Sequence, residues 1–448
     1  MKFNKQKQQQ FQNEPESHDG KTLLELDCSD IEKKKVAALT ELKPFKLITN
    51  YFQSRCDYEV IDLNKIQKKD HDDIEFDYKW TRNQKELNFD KFKQGKQIIN
   101  HIKNLKKSLS DKNNLVSNLK EMDKKKMYNF DSNDFHFKTY IFNLKNEKYN
   151  KQETKFFQQE KDGIWITKNP YSSLGLGIQL FKNIDQLKQD IMDIKSTELD
   201  QDDEEQINKV KSYSLVQKYL DNPLLINNKK VDFRVYVLIV SLDPLIVLYQ
   251  DGIIKSCIKE YDNDFEEFDQ NEAYKHLTNF SFSKTHPQFQ ELKEQLVMTK
   301  EDFENKLRQE YNLTEEKLAS MFEDRKKIAA YTTLAGKDKL VVQKGAYQLM
   351  GLDMMWDKDF NAKLIEVNTN TSLSNETKVY RQVMPQLVQS TLDLILETYD
   401  DFDKVREKWV NPERLELGKW EILINEAQNY NILDKYRQDQ QNIDQQEL

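Results

Sequence analysis

The sequence predicts a mixed α/β (α+β) chain of more than one domain. Runs such as Lys230-Val-Asp-Phe-Arg-Val-Tyr-Val alternate polar and apolar side chains with the period of two that a strand imposes. Residues 299–335 instead carry apolar side chains at helical spacing. The 448 residues are 37% hydrophobic, with 24 Phe, 20 Tyr and 5 Trp, which is enough apolar matter for several cores and excludes wholesale disorder.

Taken in order, residues 1–40 are rich in Gln, Asn, Lys and Glu and read as a disordered tail with a short helix near Lys33–Leu42. Residues 41–98 read as a small α/β domain. Phe45-Lys-Leu-Ile-Thr and Glu59-Val-Ile-Asp-Leu are its expected strands, with a helical segment between them. Asp77-Tyr-Lys-Trp follows, then a helical stretch from Phe89 to Ile102. A central domain over 99–212 holds the expected strand Ile164-Trp-Ile-Thr-Lys. Its glycine loop is Ser172-Ser-Leu-Gly-Leu-Gly-Ile, and the acidic stretch from Thr197 reads as a solvated loop. A third domain over 213–403 is the most apolar. Expected strands are Ser214–Leu220, Asp232–Leu242, Leu245–Gln250, Tyr347–Trp356 and Ala362–Asn368, and a helix from Val383 to Tyr399 closes it. Residues 404–448 read as a polar tail with one helix at Lys419–Gln428.

Charge and composition exclude several functions. The 69 Lys+Arg against 77 Asp+Glu give a formal net charge of −8, the wrong sign for a protein that coats nucleic acid. Any anionic partner must meet a local basic patch, for which Lys103–Lys107 and Lys124-Lys-Lys are candidates. No run of 18 apolar residues predicts a membrane span. Cys28, Cys56 and Cys257 match no zinc spacing, and no HExxH pair points to a zinc hydrolase.

Four segments carry chemistry. In Gly351-Leu-Asp-Met-Met-Trp…Ala362-Lys-Leu-Ile-Glu-Val-Asn, two strands flank a polar turn. If Asp357 faces Ala362, Asp353 falls opposite Glu366, and alternation adds Asn368 to their face. Two carboxylates and an amide oxygen on one face are costly to bury without a cation, and as hard oxygen donors they suit Mg²⁺. A solvated edge hairpin gives the same pattern. Lys230, Asp232, Arg234 and Tyr236 share a face of the next strand, where Lys and Arg beside Asp can hold phosphate oxygens or form a plain surface salt bridge. Lys168 stands ahead of Gly175 and Gly177, whose backbone can approach a phosphate closely, although a flexible connector looks the same. In His276-Leu-Thr-Asn, Thr278 and Asn279 can bond a ligand or close a turn.

Together and in this order, Val216-Gln-Lys-Tyr-Leu-Asp-Asn-Pro-Leu-Leu-Ile, Lys230-Val-Asp-Phe-Arg-Val-Tyr, His276-Leu-Thr-Asn and Leu364-Ile-Glu-Val-Asn-Thr-Asn resemble the tubulin tyrosine ligase-like family. Asp162-Gly-Ile-Trp-Ile and Ser390-Thr-Leu-Asp-Leu-Ile-Leu-Glu look most like its polyglycylase branch. The resemblance runs from about Phe45 to Phe402. It implies an ATP-grasp ligase fold, ATP and Mg²⁺, and a carboxylate–amine ligation through an acyl phosphate. The free amino acid would be glycine and the target the acidic tails of tubulin in microtubules. A polyglutamylase and an inactive microtubule-binding relative are the alternative readings.

The implied roles follow residue by residue. Lys112 and Lys168 would contact ATP phosphates, with Gly175 and Gly177 in the phosphate loop. Gln217, Lys218, Tyr219 and Leu220 would form the adenine hinge. Lys230, Asp232, Thr278 and Asn279 would reach the nucleotide, and Arg234 and Lys255 would serve the reacting carboxylate. Asp353, Glu366 and Asn368 would bind Mg²⁺. The resemblance also implies a monomer with no nucleic-acid or membrane partner, acting in the cytoplasm, cytoskeleton or ciliary axoneme. Three departures stand out. Leu174 and Leu176 replace two basic loop residues, Asn169 follows Lys168 where proline is usual, and Thr371 precedes Ser372 where Asn-Pro-Ser often follows the metal-binding asparagine. Lys255 also stands in the place of an arginine.

Overall fold

In the computed structural model, residues 34–41, 46–144, 150–170, 177–197 and 204–438 are described, and they form three sheets. Expectations for residues 1–33, for Gly175 with Leu174 and Leu176, for most of the acidic stretch and for residues 439–448 lie outside the described residues.

The first sheet is parallel, in the order β2-β1-β3-β4, from β1 (Lys35–Leu39), β2 (Tyr58–Asp62), β3 (Tyr78–Trp80) and β4 (Ile98–Ile99). Three expectations are corrected here. Within the expected helix near Lys33–Leu42, the described residues Lys35–Leu39 are strand β1, placed between β2 and β3. Ala37, Ala38 and Leu39 are fully buried there, so tertiary pairing overrides alanine's helix preference. The described part of the expected strand Phe45-Lys-Leu-Ile-Thr, from Lys46 onward, is not a strand. Helix α1 (Leu47–Gln53) buries Ile48 and Phe52, one helical turn apart, and Phe52 packs on Tyr58 and Tyr78. The stretch Phe89–Ile102 is a run of turns ending in β4. Gly95 takes φ +73 there and donates its N–H to the Lys344 carbonyl, which ends any helix.

The second sheet is antiparallel, ordered β5-β8-β6-β7, from β5 (Thr139–Ile141), β6 (Trp165–Lys168), β7 (Gln179–Phe181) and β8 (Leu215–Lys218). Helix α2 (Lys112–Asp123) precedes it, capped by the Asp111 carboxylate on two backbone N–H groups. Helices α3 (Lys151–Gln159) and α4 (Ile184–Ser196) supply Phe156, Leu187 and Ile191 to its core.

The third sheet carries Lys230, Asp232, Arg234, Lys255, Asp353, Glu366 and Asn368. Its strands are β9 (Leu225–Ile226), β10 (Lys229–Leu242), β11 (Leu245–Ser256), β12 (Val297–Thr299), β13 (Gln348–Trp356), β14 (Ala362–Asn368), β15 (Glu421–Asn425) and β16 (Tyr430–Asn431). The main path is β14-β13-β10-β11-β15-β16. Alternation along β10 sends Val231, Phe233, Val235 and Val237 into one core, under helices α5 (Lys300–Tyr311) and α6 (Glu315–Lys337). Tyr236, Leu238 and Val240 enter a second core under helix α7 (Lys378–Thr398). β14 is the edge strand of this sheet, but β13 pairs with both β14 and β10 and Asp353 is buried, so the hairpin's polar face is not solvated. β10 is likewise paired on both sides with Lys230 and Asp232 buried, so its charges are not a surface salt bridge. Tyr236 shares the polar face, but its hydroxyl ends against the Met384 sulfur inside the core.

The polar-tail reading of 404–448 is corrected for its described part. Trp409, Trp420, Leu423 and Leu433 are buried, and the expected helix at Lys419–Gln428 contains strand β15, paired to β11. Ile422, Leu423 and Ile424 form a short apolar run that fits a two-sided strand better than a one-faced helix.

Candidate active site

The hairpin that carries Asp353 and Glu366 arrives at its expected facing by a different register. Trp356, not Asp357, pairs with Ala362, which by simple counting would set Asp353 against Ile365. An irregularity between Asp353 and Met354 skips Ile365 and restores Asp353 opposite Glu366. Asn368 donates its amide to Asp353 Oδ2 and Glu366 Oε1, each at 3.2 Å, so the three side chains converge.

Cations surround this set. Arg234, cross-strand from Asp353, grips it bidentately with Nε–Oδ1 2.5 Å and Nη2–Oδ2 2.8 Å. Its Nη1 donates to Thr371 Oγ1 at 3.3 Å. Gly351 makes room for this arm, because a Cβ there would lie 2.7 Å from Arg234 Cδ. Lys255, cross-strand from Asp232, bridges Asp232 at 3.1 Å and Asp353 at 3.4 Å. Lys112, the first residue of α2, meets Glu366 Oε2 at 3.1 Å. Thr278 donates its hydroxyl to Asp232 Oδ2.

The electrostatics follow from these contacts. Burial alone would raise the Asp353 carboxyl, but Arg234 and Lys255 outweigh it and hold it at about 2. Burial also opposes ionisation of Glu366, yet Lys112 keeps it below the usual carboxylate range. Burial pushes Asp232 up to about 6 despite Lys255. Lys255 is held above its ordinary value, since Asp232 and Asp353 overcome its desolvation. Lys168, desolvated and repelled by Lys112, falls to about 7, and desolvation takes Lys230 to about 8.

One cleft between the second and third sheets gathers most of the expected residues. Lys112, Lys168, Gln217, Lys218, Tyr219, Leu220, Lys230, Asp232, Thr278, Asn279, Asp353 and Glu366 all line it. Arg234, Lys255 and Asn368 bond to residues of that lining. Gly177 takes φ +70 at the near end of the glycine loop, where a Cβ would run into the Ser212 hydroxyl. Lys168 donates to Gln217 Oε1 at 2.8 Å, and Gln217 passes its amide on to Thr139 Oγ1 at 2.8 Å. The Lys218 side chain turns to the Asp162 carbonyl, 2.9 Å away, and the Trp165 ring, so at this position the strand end faces the cleft with its backbone.

The sequence reading missed the apolar walls of this cleft, Phe137, Ile166, Ile178, Met355 and Ile365. Two carried a signal. Ile166 stands two residues before Lys168 and Met355 two after Asp353, so alternation put each on the site's face. Ile365 reaches the cleft at the strand irregularity, which no pattern announced. The cleft can therefore take a flat apolar group between aliphatic side chains and an anion near Lys168 and Lys230. Among the described residues, no cluster of three or more His, Cys, Asp or Glu forms a metal site. The set of two carboxylates and one amide fits a hard cation instead, once the Asn368 amide turns its oxygen inward.

Comparison with known proteins agrees with this geometry. The pattern of the Tubulin-tyrosine ligase family matches residues 89–404. "Protein polyglycylase TTLL10" of Mus musculus is 28% identical over 339 residues, 72% of this chain and 47% of that protein. "Inactive polyglycylase TTLL10" of Homo sapiens is 30% identical over 271 residues, 59% and 39% of the two chains. "Probable alpha-tubulin polyglutamylase Ttll1" of Tetrahymena thermophila is 26% identical over 288 residues, 64% and 67%. The chain spans less than half the length of the polyglycylase relatives it matches. With well over half its length matched, the chain belongs to the tubulin-tyrosine ligase family of ligases, and its mixed α/β architecture is the ATP-grasp-like fold of that family.

Proposed function

We propose that the protein is an ATP-dependent protein–amino acid ligase that joins glycine to glutamate side chains, or to growing glycine chains, on tubulin tails. The observation that carries this reading is the convergence of the hinge, the two lysines and the Asp353–Glu366–Asn368 set on one cleft. Ile166, Ile178 and Met355 would flank the purine, and the backbone of 217–220 would read its edge. Lys168 and Lys230 would meet the phosphates. Asp353, Glu366 and Asn368 would hold Mg²⁺, which supplies charge neutralisation at the phosphate oxygens. Arg234 and Lys255, anchored on Asp353 and Asp232, would orient the acceptor carboxylate and stabilise the oxyanion as the acyl phosphate forms and the amine attacks.

The glutamate reading has one observation in its favour, the match to the Tetrahymena polyglutamylase across 67% of that protein. Mass spectrometry of tubulin tail peptides incubated with the protein, Mg-ATP and equal glycine and glutamate separates the two. Glycine-sized additions support the proposal, and glutamate-sized additions select the second reading. No addition, on peptides that an active relative modifies, selects a binding role. On any of these readings the place of action is the microtubule cytoskeleton, with cilia as the expected setting. Among the described residues, no helix is long and apolar enough to cross a membrane.

Nucleotide binding is expected to take up protons between pH 7 and 8. Lys168 at about 7 and Lys230 at about 8 are partly neutral in the empty cleft, and a triphosphate beside them favours the ammonium forms. Both values sit below the ordinary lysine range, so uptake rises as pH climbs through them. Titration calorimetry with Mg-ATP in buffers of different ionisation enthalpy measures the proton count. A count of zero at pH 7.5 would remove the two lysines from the phosphate site.

A further inference from the structure

The buried His276 has no role in the reading above, yet it is among the most heavily constrained side chains near the cleft. It closes the helix Gln270–His276, is 1% exposed and lines the cleft two residues before Thr278. Four aromatic rings enclose it, with centroids at 5.2 Å for Tyr261, 5.4 Å for Phe265, 5.7 Å for Tyr219 and 5.9 Å for Phe268. Its Nδ1 lies 2.9 Å from the Tyr219 hydroxyl, and that oxygen accepts a hydrogen bond from Lys230 Nζ at 2.8 Å.

The direction of this chain follows from the donors available. An ammonium can only donate, so the Tyr219 oxygen accepts from Lys230 and its proton is left for His276 Nδ1, with the neighbouring Tyr261 hydroxyl as a competing acceptor. With that bond the imidazole carries its proton on Nε2, a buried atom with no hydrogen-bond partner among the described residues. Burial, which presses its pKa down to about 3, accounts for the neutral form. Lys230 also lies 4.5 Å from the Tyr219 ring centroid, so ring and hydroxyl act on the same ammonium. A four-carbon side chain normally spreads over many rotamers. Here one rotamer is selected by a tyrosine that is itself fixed by a caged histidine.

We propose that His276 and Tyr219 form a positioning relay that aims the Lys230 ammonium at the nucleotide phosphates. The inference rests on the ATP reading of the cleft and deepens it. Neither His276 nor the Tyr219 hydroxyl touches the reacting atoms; both act through Lys230. The relay also ties the hinge, the aromatic loop at 261–268 and strand β10 into one unit, so ordering the hinge orders the lysine.

The test is the dissociation constant of Mg-ATP for the full chain, by titration calorimetry, with KM values for ATP and for the amino acid measured alongside. Tyr219→Phe keeps the ring and removes the hydroxyl that meets Lys230, His276 and Tyr261. His276→Phe keeps the cage filled and removes the acceptor. Each is expected to weaken Mg-ATP binding about tenfold and to leave the KM for the amino acid within about twofold. The double variant should lose no more than either single one, because both break the same chain. His276→Asn, whose amide oxygen can stand near Nδ1, should recover most of the affinity. Wild-type affinity in Tyr219→Phe would overturn the relay, as would additive losses in the double variant or equal rises in both KM values. If His276→Phe fails to fold, Tyr219→Phe and His276→Asn decide alone. Failure of the unaltered chain to bind Mg-ATP would instead strike the ATP reading, and the relay would fall with it.

Discussion

Replacing Glu366 with Gln is expected to lower ligase turnover by on the order of 10²–10³-fold and to abolish the rise in Tm that Mg-ATP produces in the unaltered protein. The substitution is nearly isosteric and keeps a hydrogen-bonding side chain opposite Asp353. What it removes is charge. Burial works against ionisation of Glu366, but Lys112 at 3.1 Å holds its pKa below 4.5, so the group is a carboxylate at neutral pH. A neutral amide leaves Asp353 as the one anion of the set, and Arg234 already occupies both its oxygens. A divalent cation would then lack the charge that offsets its dehydration. The sign of the pH effect on stability follows. A carboxyl with a lowered folded pKa contributes stability above its unfolded value of about 4.5 and loses it as pH falls through the folded value. The stability gap between the unliganded wild type and Glu366→Gln should therefore be widest near pH 7 and close in acid. Thermal melts with and without Mg-ATP across this range provide the measurement. A variant that keeps the full Mg-ATP shift would exclude Glu366 from the metal site.

The sequence made the site more legible than the fold, and the reason is physical. Alternation put Lys230, Asp232 and Arg234 on one face, and that face meets Asp353 and Glu366 because β10 pairs with β13. Long strands and two long helices stood out because their periods run for many residues. The short elements near both ends did not. Val36-Ala-Ala-Leu has no alternation, since a parallel strand between two others is buried on both faces, and alone it reads as helix. Strand β15 is five residues whose identity depends on β11, more than 160 residues earlier. Within the site, Ile365 needed the strand irregularity and Phe137 needed the packing of β5 against β8, neither of which is local. His276 was visible in its motif, but its role depends on Tyr219 and Lys230, brought to it by the fold.

Replacing Arg325 with Ala is expected to cost about 3–5 kcal/mol of stability, the second large effect. Arg325 is fully buried on α6, beneath the face of the sheet opposite the cleft. Its guanidinium carbon lies 4.0 Å from the Phe322 ring centroid and 4.1 Å from that of Phe233, so the group is held between two rings. Nη2 meets Asp251 Oδ1 at 3.1 Å. Phe233 stands between Asp232 and Arg234 in β10, so this stack supports the strand that presents those two residues to the site. Truncation to Ala opens a space between the rings and takes one of two cations from Asp251, leaving Lys300 at 2.7 Å. Burial would raise Asp251, but Arg325 and Lys300 together hold it below the usual range. Its stabilisation is thus present above about pH 3.8 and lost in acid, and Arg325→Ala should flatten that acid limb. Arg325→Met separates volume from charge. It refills the space between the rings, so it should recover part of the midpoint in urea while keeping the flattened pH profile. If Arg325→Met matches wild type in both, the ion pair contributes nothing and packing alone holds β10 in place. If Arg325→Met matches Arg325→Ala in both, the cation between the rings is what fixes the strand beneath the site.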